Sequence, residues 1–174
     1  MKLLFTVLLL CTAIFIGEDA LAVNPPPADA TAAVTCTVAG IMEWSGNFAG
    51  IDLANITTQA GAVTGSAAVT LYTNGDVDIS ADNTATARLV NGSSVLVTEY
   101  RLEYDGDGVT ATGGSTVDYT AYNSFLSSPS SITHISTDGA VGVTLKVRAS
   151  NPASNVADAG AYTATQTLTA TWGS

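Results

Sequence analysis

Apolar and polar positions alternate with a period of two through much of this chain, and turn-forming residues cut the alternation into short runs. The closing run is the clearest. Over residues 160–172, Tyr162, Ala164, Gln166, Leu168, Ala170 and Trp172 share one parity, and Thr163, Thr165, Thr167, Thr169 and Thr171 share the other. Successive side chains of a strand point to opposite faces, so the pattern predicts a long, half-buried strand with one mostly apolar face and one threonine face. Threonine's branched Cβ suits a pleated surface and crowds a helix. A terminal strand must pair with strands already made, as in the closure of a Greek-key sandwich.

Earlier runs follow the same rule. Residues 31–38 alternate through Ala32, Val34, Cys36 and Val38 and read as the first strand. Ile41, Met42, Trp44, Phe48 and Ile51 form an apolar cluster broken by Gly46 and Gly50, which suggests a turn folding over one end of the core. Residues 62–80 read as a hairpin about Asn74-Gly75, the dipeptide that best tolerates positive φ at both central turn positions. A second pair, residues 85–90 and 95–104, flanks Asn91-Gly92-Ser93-Ser94; there Tyr100, Leu102 and Tyr104 face one way and Glu99, Arg101 and Glu103 the other. Residues 132–135 suggest a short strand. Residues 140–148 suggest a better one, with Val141, Val143, Leu145 and Val147 inward and Lys146 and Arg148 outward.

Seven to nine short strands, turns at sandwich spacing and no amphipathic helix predict an all-β fold, a single Greek-key β-sandwich. The expected organisation is a signal peptide over residues 1–22, a Pro-rich leader over 23–30 and the sandwich over 31–174. The signal peptide rests on Met1-Lys2, the uncharged apolar run of residues 3–16 and the cleavage pattern Ala20-Leu21-Ala22. Glu18-Asp19 ends that run short of the roughly 20 residues needed to span a bilayer. Export to the cell surface or beyond is therefore expected, with Cys11 removed. Pro25, Pro26 and Pro27 keep the leader out of any central strand.

The 174 residues suffice for one such domain. Lys and Arg number 5 against 15 Asp and Glu, a net charge of -10 that repels phosphates and argues against a nucleic-acid partner. The acids are spread singly, so no acidic tail is indicated. Cys36 is the only cysteine expected in the mature chain, which excludes an internal disulfide; its place in the alternation predicts a buried, small apolar role.

No residue set reads as a catalytic centre or a cofactor site. Asp105-Gly106-Asp107-Gly108 resembles the start of a calcium loop, but Val109 takes the next ligand position, and a plain turn is the better reading. Asp76, Asp78 and Asp82 read as a solvated edge. Glu99 and Glu103 lie roughly 13 Å apart along a strand, too far for paired carboxylates of a glycosidase. His134 is the only histidine and no nucleophile elbow is present, so the chain is not expected to be an enzyme. Trp44, Trp172, Tyr119, Tyr122 and Phe125 would serve a glycan-binding platform, although both tryptophans suit the core better. Asn55-Ile56-Thr57 and Asn91-Gly92-Ser93 match the glycosylation pattern.

Three segments together resemble the spore coat protein U and fimbrial-subunit family of secreted proteins. They are Val34-Thr35-Cys36-Thr37-Val38, the run from Gly65 to Gly75, and Gly160-Ala161-Tyr162 through Trp172. The resemblance implies an Ig-like sandwich that serves as a pilus or coat subunit and polymerises with itself. It also implies a secretion chaperone and outer-membrane assembly machinery as partners. An extended donor (Ala30, Ala32, Val34, Cys36 and Val38) would complete the sheet of the next copy beside an acceptor strand bearing Tyr162, Leu168 and Trp172. Strand addition suits an open edge, which offers a row of unpaired donors and acceptors. The alternatives are a monomeric extracellular module that binds surface glycans, or a calcium-dependent adhesion module. This chain has Leu71 where the family has a second cysteine, and Gln166 where it has an aliphatic residue.

Overall fold

The structure, a computed structural model, describes residues 28–174. The expected signal peptide and residues 23–27 of the leader lie outside the described residues. The chain divides into two units between Thr37 and Val38, and among the described residues every strand lies in the second. In the first unit, residues 28–37 carry no strand and are exposed throughout; Val34 is 90% exposed. The strand expected over residues 31–38 is therefore not formed. Alternation of Ala, Thr and Val supplies strand propensity, but small side chains bury too little surface to fix a strand without a partner. Cys36 is likewise exposed, contrary to the expected burial.

The second unit contains eleven strands in chain order: β1 Met42–Trp44, β2 Ala62–Thr73, β3 Val77–Ala81, β4 Val90–Asn91, β5 Ser94–Val95, β6 Val97–Tyr104, β7 Gly113–Gly114, β8 Val117–Ala121, β9 Ser130–Thr133, β10 Ala140–Ser150 and β11 Leu168–Trp172. One 3-10 turn, Ala85–Ala87, is the only helical element among the described residues. The strands form a five-stranded sheet in the order β1-β2-β10-β6-β8, a four-stranded sheet β11-β3-β9-β7, and a small β4-β5 ribbon. Every pairing is antiparallel. The protein is thus all-β, with two principal sheets sharing one core.

The expected alternation sets the inner face of the larger sheet. Val141, Val143, Leu145, Val147 and Ala149 of β10 are buried, and register places Val69, Ala67, Gly65 and Val63 beside the last four. On the other flank Tyr104, Leu102, Tyr100 and Thr98 continue the same rows. Val77, Ile79 and Ile132 of the smaller sheet, with Phe125 and Leu126 from the loop before β9, complete the hydrophobic cluster. The Tyr100 and Phe125 rings lie 5.5 Å apart.

Two expected pairings differ. β2 and β3 flank Asn74-Gly75 but belong to different sheets, so the turn is a crossover and not a hairpin. Neither Asn74 nor Gly75 has the positive φ that a two-residue hairpin requires. Instead Asn74 Oδ1 accepts from Ile41 N at 2.7 Å and its Nδ2 donates to the Ala39 carbonyl at 2.8 Å, which ties the crossover to the chain before β1. Of the second expected pair, only the β4-β5 ribbon forms, about Gly92 at φ 59. β6 pairs with β10 and β8.

Candidate strand-accepting groove

The two layers differ in length. β2 and β10 contain 12 and 11 residues, whereas β3, β9 and β11 contain 5, 4 and 5. At about 3.3 Å per residue β2 and β10 are thus roughly 20 Å longer than β3, β9 or β11. At the end of β2 and β10 away from the Asn74-Gly75 crossover lie the rows Gly65–Val147–Tyr100 and Val63–Ala149–Thr98. Above them lies a groove of about 1050 Å³. Its floor includes Val63, Leu96, Tyr100, Leu145, Val147 and Ala149, all but Val63 already buried; residues 48–59 form one wall, and residues 156–162 with 164–166 the other. Asp52 and Asp158 are its only charged lining residues.

The first wall is irregular for a reason legible in the side chains. Met42 and Trp44 face the core from β1, so an in-register continuation along β2 would keep even-numbered residues inward. Phe48 obeys that parity, but beyond Gly50 the apolar positions are Ile51 and Leu53, and Asp52 would point inward. The chain therefore leaves the β2 edge after Ser45, which exchanges its last contacts with Thr70 (N to O 2.8 Å; Oγ accepting from Thr70 N, 3.1 Å). Ile51 and Leu53 cross over the inner face at Gly65: their methyls lie 2.6 and 2.9 Å from the point a Gly65 Cβ would occupy.

The second wall leads into β11. Thr167 O accepts from Asp82 N and Gly173 N donates to Asp76 O, so odd-numbered residues bond to β3. The backbone groups of Leu168, Ala170 and Trp172 consequently point to the other side, where β11 is the edge of its sheet. The long strand expected over residues 160–172 pairs as a ladder only from Leu168. Before that, Thr163 makes a single bridge to Val90 and Thr165 N donates to Thr86 O at 2.8 Å. The 3-10 turn at Ala85–Ala87 follows β3 and breaks the strand against which this run would have paired.

The expected acceptor residues are spread along this wall. Tyr162 lines the groove; its hydroxyl donates to the Asp158 carbonyl at 2.8 Å and lies 2.7 Å from the Ser94 hydroxyl. Leu168 packs against the core cluster at the start of β11. Trp172 is 48% exposed rather than buried as its parity suggested, and its ring lies over Gly40 and Gly75, 3.2 Å from where a Cβ on either would be. Gln166 lines the groove too; its Nε2 donates to the Asp82 and Thr167 carbonyls, while its buried Oε1 has no partner among the described residues. Of the donor set, Ala30, Ala32, Val34, Cys36 and Val38 are all exposed.

The other candidates resolve into ordinary interactions. On the outer face of the larger sheet Lys146 and Arg101 pair with Glu103, both at 2.7 Å, and Arg148 Nε donates to Glu99 at 2.7 Å. The Lys146 hydrogen bond, with Arg101 adding, holds the Glu103 carboxyl below its usual range. Arg148 lies 4.5 Å above the Tyr119 ring centroid and Arg88 5.6 Å from that of Tyr122, so an arginine occupies a face of each platform tyrosine. Phe125 is fully buried. Asp107 accepts from the amides of Thr110, Val109 and Ala111, which lowers its carboxyl to about 2. Asp105 accepts from Gly142 N at 2.7 Å. Among the described residues no group of three or more His, Cys, Asp or Glu is placed to hold a metal ion.

A scan against protein-family models finds no match, and a search of curated proteins returns none.

Proposed function

We propose that this protein is a secreted, non-enzymatic structural subunit with an Ig-like fold, and that it assembles into a surface fibre by laying an extended segment of one copy into the groove of the next. The mismatch in sheet length carries this reading: apolar rows of the larger sheet lie under a groove whose wall runs into an unpaired strand edge. The donor is residues 30–38, uncharged and alternating, whose extended length of roughly 26 Å is comparable to the roughly 20 Å by which β2 and β10 exceed β3, β9 and β11. Ala30, Ala32, Val34, Cys36 and Val38 would seat their side chains on the floor, while the backbone pairs with the β11 edge. Burying each valine contributes roughly 1.5–3 kcal/mol and each alanine less, so contact must repeat along the segment to hold a fibre together. A secretion chaperone that covers the groove before assembly, and outer-membrane assembly machinery, complete the proposed set of partners.

Negative-stain microscopy of the purified chain across a concentration series tests the proposal. Fibres are expected, and Val34→Asp, which places a charge on the apolar floor, should abolish them. Monomer alone at every concentration would contradict it.

A further inference from the structure

We propose that residues 46–57 form a removable strap, which occupies the groove at Gly65 in the isolated subunit and yields when a strand is added. The inference rests on the strand-accepting reading of the groove and concerns how that site is regulated. Three observations support it. Residues 46–57 contain no strand, and among the described residues they make no hydrogen bond through backbone or side chain. Their hold on the protein is apolar: Phe48, Ile51 and Leu53 pack against the core cluster, with Ile51 and Leu53 in the notch that Gly65 leaves. The change of parity at Gly50 also denies the segment an in-register place on β2, where Ala62, Thr64, Ser66 and Ala68 present unpaired backbone groups outward.

A segment held only by a few side chains opens at lower free energy than the ladders around it. An incoming strand would compete for the same floor and bring backbone hydrogen bonds that the strap does not make. A valine of the donor fits the notch now filled by Ile51 and Leu53. Displacement would therefore exchange apolar contacts for apolar contacts and add a ladder, so the strap can close the groove without blocking assembly.

Thiol labelling of residues 23–174, which lack Cys11, tests this directly. In a Cys36→Ser background, Leu53→Cys, and separately Ile51→Cys, is compared with Val117→Cys, a position likewise half-buried against the core but held in the β8 ladder. If the strap opens locally, the strap thiols react roughly 100-fold faster or more than the β8 thiol, at rates insensitive to low denaturant. A synthetic peptide of residues 28–38 with Cys36→Ser should accelerate labelling of the strap further. Strap thiols that react only as fast as the β8 thiol would overturn the inference. So would a peptide that binds, by fluorescence anisotropy, yet leaves strap labelling unchanged. A peptide that does not bind would count against strand addition itself, while the rates without peptide still decide whether the strap opens.

Discussion

Gly65 faces Ile51 across the groove so closely that the Ile51 Cγ2 lies 2.6 Å from where a Gly65 Cβ would be. Glycine at this point of β2 is the condition for the strap to reach the floor. Gly65→Val should destabilise the subunit by about 1–3 kcal/mol through overpacking, and should raise thermolysin cleavage within residues 46–57. Gly46→Ala serves as the control, since nothing lies within 4 Å of that site and its effect should stay within about 0.5 kcal/mol. Urea denaturation of both variants makes the comparison.

The outer face of the larger sheet should contribute little to stability. Arg148, its side chain 39% exposed, pairs with Glu99 and stacks on Tyr119. Arg148→Ala is expected to cost about 0.5–1 kcal/mol, less at high salt, because solvent screens such a pair. Glu103 has a lowered folded-state pKa, so its contribution is present above the ordinary glutamate range and disappears as pH falls through the folded value. Lys146→Met should move the Glu103 titration, followed by NMR, back towards that ordinary range.

Alkaline pH should destabilise the protein through two phenols, Tyr100, which is buried, and Tyr104, which is half-buried. Burial raises both Tyr100 and Tyr104 from 10.0 to about 12. Their contribution is complete below the unfolded value and is lost as pH rises from 10.0 to about 12, since the unfolded chain ionises first. Tyr100→Phe removes the hydroxyl that donates to the Ala87 carbonyl at 2.7 Å. It should cost about 1–3 kcal/mol near neutrality and flatten the alkaline dependence, measured by denaturation at a series of pH values.

Phe125 and Trp172 separate core from cover. Phe125 is fully buried against Tyr100, and Phe125→Ala should cost about 3–5 kcal/mol. Trp172 keeps nearly half its surface, so Trp172→Ala should cost clearly less. Thermal melts of the pair distinguish them.

The strands buried on one face were plain in the sequence. β10 alternates Val and Leu with Gly142, Thr144, Lys146 and Arg148, β6 alternates Tyr and Leu with Glu99, Arg101 and Glu103, and both are interior strands of the larger sheet. Residues 31–38 alternate equally well yet form no strand, because pattern sets which face would be buried but does not provide a partner. Asn74-Gly75 was legible as a turn but not as a crossover; what decides between them is the Asn74 side chain's hold on Ala39 and Ile41, contacts more than 30 residues distant in the chain. Tyr162 is legible as a candidate site residue, but Val63 and Val147 read as ordinary inward strand positions, and Ala149 lies beyond the strand expected over residues 140–148. The groove arises from unequal strand lengths in two sheets, and no single run of residues records that difference. One trace of it was present: the parity change between Phe48 and Ile51, on either side of Gly50, foreshadows the segment that leaves the sheet.

Strand addition between copies is tested most directly by the disulfides that the chain forms with itself. Cys36 belongs to the proposed donor, and Ala164 lies on the groove wall, exposed. After mild oxidation of Ala164→Cys, non-reducing electrophoresis should give a ladder of covalent oligomers. Peptide mapping should join position 36 of one copy to position 164 of another. A product confined to symmetric dimers through position 36, or to monomer, would contradict the account.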